Sequence, residues 1–142
     1  MKKALLIAFV AITVLAGCKK DDGPSDKLSE SIQGRWDLTK EYYLDKKNGT
    51  KTAEGTENYD IGYYYIVFSG NNFKIYDGGQ LEDEGTFTIS SNEITLDYGA
   101  GDIDKNPIEF KSNSEFVVKN TSSTKQGADT YDYYSEETFK KN

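Results

Sequence analysis

From Ile32 to the end of the chain, apolar residues return at every second position, and that period demands strands. The clearest stretch is GTFTISSNEITLDYG, residues 85–99. Phe87 and Ile89 alternate with Thr, Ser91-Asn92 make a tight turn, and Ile94, Leu96 and Tyr98 alternate on the way back. PIEFKSNSEFVVKN reads as a second hairpin, with Ile108 and Phe110 answering Phe116 and Val118 across Asn113-Ser114. GRWDLTKEYYL places Trp36, Leu38 and Tyr42 on one face, Lys40 being an exception, and NFKIYDGG sets Phe73 and Ile75 opposite Lys74 and Tyr76. GYYYIVFSG is almost wholly apolar and aromatic, as a strand buried on both faces or one paired centrally would be.

The expected strands are 33–44, 61–69, 72–77, 84–90, 93–98, 107–112, 115–120 and 130–140. Short connections make them an antiparallel up-and-down meander. Eight such strands with one apolar face close into a barrel or stack as a sandwich; closure removes both exposed edges, so the expected fold is an all-β, eight-stranded barrel. Two longer polar connections, 45–60 and 119–129, read as mobile segments at the barrel ends. Asn48-Gly49-Thr50 and Asn120-Thr121-Ser122 read as turns within or beside them.

Composition narrows the chemistry. The chain has no histidine, which removes the commonest general base and transition-metal ligand and excludes a serine triad. A formal charge of −7 opposes binding to nucleic-acid backbones, which calls for a basic stripe. Residues 102–113, DIDKNPIEFKSN, begin like a calcium loop, but Pro107 replaces the turn glycine and Asn113 the bidentate Glu. This segment reads instead as a solvated hairpin loop, and Glu82-Asp83-Glu84 as a charged turn. No carboxylate spacing singles out a glycosidase pair. The expectation is a non-enzymatic, monomeric protein without metal or cofactor.

The eleven tyrosines are too many for one core. Most suit strand packing, while Tyr63, Tyr65 and Tyr133 alternate along their strands and are candidates to line a cavity mouth for a small hydrophobic molecule or glycan.

The amino-terminal segment carries a different signal. Lys2 and Lys3 precede ALLIAFVAITVLA, thirteen residues in which only Thr13 is polar. A helix of that length spans ~20 Å, short of a ~30 Å hydrocarbon core, so residues 1–17 read as a signal-peptide helix. Leu15-Ala16-Gly17-Cys18 resembles the bacterial lipobox. The resemblance implies a diacylglycerol thioether on Cys18, cleavage before it, and attachment to a membrane through the acyl chains. Cleavage would remove Lys2 and Lys3, leaving 15 basic against 24 acidic side chains. Lys19, Lys20, Asp21 and Asp22 are similar to the export signal of Bacteroidetes-type lipoproteins, which implies the outer membrane and its cell-surface face, the alternative being a tether on the periplasm-facing side. Residues 18–31 then form a polar tether, with a helical turn near Ser25, ahead of a domain at 32–142.

Gly34-Arg35-Trp36, opening the first strand, is similar to the G-x-W motif of lipocalins, and residues 85–96 look like the central hairpin of short lipocalin-like domains in bacterial lipoproteins. The resemblance implies that Trp36 plugs the closed end of the barrel and that Gly34 lets the chain pass beneath it. Lipocalins lay an arginine from the last strand over that tryptophan. Here the sole arginine is Arg35, leaving Lys140 or Lys141 for the role. The implied function is ligand binding at the open end; the alternative is a solid barrel that contacts another envelope protein.

Overall fold

The computed structural model describes residues 24–142. The signal segment, Cys18 and the charged run after it lie outside the described residues. Helix α1 (Pro24–Ser31) precedes strands β1 (Gly34–Lys47), β2 (Thr50–Asn58), β3 (Tyr64–Ser69), β4 (Asn72–Asp77), β5 (Gln80–Ile89), β6 (Glu93–Gly99), β7 (Asp102–Ser112), β8 (Glu115–Gln126) and β9 (Asp129–Lys141). Their spatial order is β2-β1-β3-β4-β5-β6-β7-β8-β9, and β1 pairs with β9 as well. Eight strands therefore close into an antiparallel up-and-down barrel, as the alternation predicts, with β2 as a ninth strand outside the ring.

The ninth strand follows from the length of β1. Its first residues, Gly34 to Asp37, pair with β3, whereas Lys40 to Lys47 pair with β2, and β9 runs along its other side throughout. The segment 45–60, expected to be mobile, is thus a hairpin arm. Asn48 and Gly49 form its turn at φ of +51° and +78°, the left-handed pair that a two-residue hairpin of this twist requires. The Asn48 side chain ties that turn to β9, donating to Asp129 Oδ1 at 2.7 Å and accepting from Thr130 N at 2.8 Å. Lys47 Nζ meets Asp129 Oδ2 at 2.6 Å. The other segment expected to be mobile, 119–129, is the far half of β8 and the start of β9, and Asn120-Thr121-Ser122 lies in strand rather than turn.

Two smaller corrections share a cause, polar side chains that sit on strands and hide the period, and a third comes from a bulge. Glu82, Asp83 and Glu84 belong to β5, with a bulge against β4, and are not a turn. Residues 102–106 are the first half of β7, not a solvated loop. In β1 the pairing to β9 slips between Leu38 and Lys40, so Thr39 is a bulge that reverses the alternation. Trp36 and Leu38 therefore share the inner face with Glu41 and Tyr43, while Lys40 and Tyr42 point outward. Tyr42 Oη donates to Glu54 at 2.8 Å and its ring meets that of Tyr134 on the outside.

One end of the barrel is packed solid. Trp36 and Ile32 are fully buried, and Trp36 Nε1 donates to Ile32 O at 2.6 Å, which fastens the chain leaving α1 beneath the barrel. Leu28, within the segment read as tether, also packs against this core. Phe116 lies 4.7 Å from the Trp36 ring, 5.1 Å from Phe139 and 5.8 Å from Phe110. Lys141, not Lys140, lies over the indole: its Nζ stands 5.2 Å from the ring centroid and donates to Ser31 O at 3.1 Å.

Candidate functional site

Above this aromatic layer the barrel retains a cavity of about 190 Å³. Phe68, Phe116 and Phe139 form its floor on the Trp36 side, and Ile66, Ile94 and Leu96 line its walls. At the other end the lining turns polar, with Tyr64, Tyr98, Asp104, Asn106, Asn120 and Glu137. Simple alternation produces this arrangement. Along β9, Ser135, Glu137 and Phe139 point inward in turn; along β7, Asp104, Asn106 and Ile108 do the same.

Glu137 is the most strained member. It stands directly across from Glu41 on β1, so two carboxylates occupy one cross-strand position on the inner face. Glu41 is held by two phenols, Tyr133 Oη donating to Oε1 at 2.7 Å and Tyr59 Oη to Oε2 at 2.8 Å. Glu137 Oε1 accepts from Asn120 Nδ2 at 2.8 Å, and the same amide group lies 3.3 Å from Ser135 Oγ. Burial, followed by the charge of Glu41, pushes the Glu137 carboxyl up to about 7, against the smaller opposing pull of Asn120. Burial likewise raises the Tyr64 hydroxyl to about 12, and raises Tyr98 and Tyr133 from their ordinary value.

A carboxyl whose affinity for protons rises on folding weakens the fold once it must ionise. The penalty is absent below pH ~4.5, grows as pH rises to ~7, and is complete above that. Glu137→Gln retains the shape and the bond with Asn120 while removing the charge. At pH ~8 the variant is expected to exceed the wild type in stability by about 2–3 kcal/mol, or about 10 °C in Tm, and the gain vanishes by pH ~4. Paired thermal melts across that range check it; a gain that does not vary with pH would contradict the ionisation.

Of the tyrosines expected at a cavity mouth, none lines the cavity. Tyr63 is 55% exposed in the turn before β3. Tyr65 lies on the outer wall, stacked 4.7 Å from Tyr76, with the Arg35 guanidinium 3.8 Å above its ring. Tyr133 shares the inner face but reaches Glu41 instead of the cavity. The inner phase of β3 is Tyr64, Ile66 and Phe68, one residue out of step with the expected set. Glu137, Asn120 and Asp104 were missed because polar side chains read as solvent-facing. The signal available was phase: Phe139, two positions beyond Glu137, is apolar.

Arg35 has a structural task on the outer wall. Its Nη2 and Nε grip Asp37 at 2.6 and 3.2 Å, and Gly62 N donates to the same carboxylate at 2.8 Å. The fully buried Asp37 thereby holds the turn that leads into β3.

Among the described residues no group of three or more Asp, Glu or Cys side chains is placed to hold a metal ion, and no helix is long and apolar enough to cross a membrane. Fold and cavity together define a closed antiparallel β-barrel with one solid end and a small, polar-ended internal chamber. No protein-family model matches the chain, and no curated protein matches it.

Proposed function

We propose that this chain is a lipid-anchored, non-enzymatic envelope lipoprotein of the short lipocalin-like kind, acylated at Cys18 and displayed at the surface of the outer membrane, whose barrel binds a small amphipathic molecule. The cavity carries this reading: it is closed below by Phe116 on Trp36, apolar along its walls and polar at one end. Its volume equals that of about six waters in the liquid, at ~30 Å³ each, so the ligand is small. The lipobox at 15–18 and the KKDD run support the anchor and its location, and Trp36 beneath Lys141 supports the lipocalin-like assignment.

A second reading draws on the outer wall. Ile61 and Tyr63 are 64% and 55% exposed beside the Arg35–Tyr65–Tyr76 stack, an apolar and aromatic surface suited to an envelope-protein partner. Two measurements separate the parts of the proposal. Cys18→Ser is expected to abolish acyl labelling and move the protein out of the membrane fraction; retention there would refute the anchor. Small amphipathic compounds at ~100 times Kd should stabilise the barrel by about 2.7 kcal/mol. A library of them that leaves Tm unmoved would leave only the interaction reading.

A further inference from the structure

The polar end of the cavity carries charge of a single sign. Glu137 and Asp104 line it, Glu41 stands beside Glu137, and among the described residues no Lys or Arg lines the chamber. The Tyr64 and Tyr98 rings stand next to these carboxylates. An apolar floor and walls, two phenol rings and carboxylates that are half-buried at Glu137 and exposed at Asp104, with no cation in the lining, complement one kind of guest, a compact ammonium ion with an apolar body. A neutral sugar would instead set its hydroxyls against Phe68, Phe116, Phe139 and Leu96, where nothing can bond them.

Building on the reading that this cavity is a binding site, we propose that its ligand is a small primary amine, the ammonium group bonded to Glu137 and the hydrocarbon part resting on Phe116 and Phe139. The free oxygen of Glu137 defines the contact. Both oxygens of Glu41 already hold phenols, whereas Asn120 is the only donor to Glu137 among the described residues and reaches Oε1 alone. No buried side-chain polar atom of the described residues lacks a partner, so the unbonded Oε2 is open to solvent, on a side chain that lines the chamber. Size agrees: a cavity of ~150 Å³ accommodates benzene, so about 190 Å³ holds one ring and a short arm.

The same geometry sets the pH response. The groups facing Glu137 are Glu41 on β1, Tyr64 on β3, Asn120 on β8, and Ser135 on its own strand; Tyr98 and Asp104 close the polar end, and Tyr59 and Tyr133 stand behind Glu41. With its carboxyl raised to about 7, Glu137 retains a proton part of the time at neutral pH, and an arriving ammonium displaces it. Binding at pH ~7 therefore releases a proton, and amine affinity drops roughly tenfold between pH ~8 and ~6.

The test is calorimetric titration of the full chain in detergent with 2-phenylethylamine and with its neutral counterpart 2-phenylethanol. The amine is expected to bind roughly tenfold or more tightly than the alcohol at pH ~8, since a charge-assisted bond exceeds a neutral one. Its enthalpy should vary with the ionisation heat of the buffer at pH ~7, and Glu137→Gln should lower its affinity to that of the alcohol. Equal or tighter binding of the alcohol would overturn the amine assignment and leave the cavity reading intact. An amine preference that survives in Glu137→Gln would overturn the role of Glu137. Binding of neither compound would overturn both readings.

Discussion

Trp36→Ala is expected to cost about 4–5 kcal/mol of unfolding free energy, the upper part of the range for emptying a large aromatic site. The side chain is fully buried, its ring lies 4.7 Å from Phe116, and its Nε1 donates to Ile32 O at 2.6 Å. Removal opens a void at the one solid end of the barrel and strips the carbonyl of Ile32 of its indole donor. Lys141 Nζ also loses the π face 5.2 Å away. Tm should fall by about 15 °C for a domain of this size. Urea melts followed by far-UV circular dichroism measure the loss, since the variant has no tryptophan to report by fluorescence. Trp36→Phe retains a ring but not the N–H and should lose about half as much. A cost below about 1 kcal/mol for Trp36→Ala would mean that the end is held closed by something other than this plug.

Gly85→Ala should be nearly as damaging, though it adds one methyl. A Cβ at Gly85 would stand 2.1 Å from Asp97 O and 2.9 Å from Phe73 Cε1. The first is backbone of the neighbouring strand and the second a buried ring, so neither can move aside without dragging β6 or the core. The sharp approach of β5 to β6 at this point is how the sheet coils into a ring. About 3 kcal/mol is expected, at the top of the overpacking range. Gly70→Ala is the natural comparison. Its φ of +61° strains any Cβ, but nothing lies within 4 Å, so about 1 kcal/mol should suffice. Equal losses in the two variants would show that β5 and β6 part easily at Gly85, whose φ is one that any residue adopts.

Both predictions concern the frame, and the frame was the legible part. Phe87, Ile89, Ile94 and Leu96 alternate with polar neighbours, and each faces the interior as its phase dictates. The pairing of Ile108 with Val118 and Phe110 with Phe116 is likewise as read. Strand β2 escaped because TKTAEGTEN has no apolar phase to detect, even though Asn48-Gly49 marks its hairpin turn. At its middle the Tyr43 ring of β1 lies over Gly55.

The candidate site was the illegible part. Its carboxylates and amides belong to β1, β7, β8 and β9, and each alone reads as a solvent-facing residue on a strand. The bulge at Thr39 decides that Glu41, not Lys40, turns inward, and closure of β1 on β9 decides that Glu41 meets Glu137. Alternation is a property of neighbouring residues, so the chain alone determined eight of the strands, the apolar phase of those that alternate cleanly, and a preference for closing them into a barrel. Register and bulges are set by which distant strands pair when the ring closes. Only that closure gathered scattered carboxylates and phenols above an apolar floor.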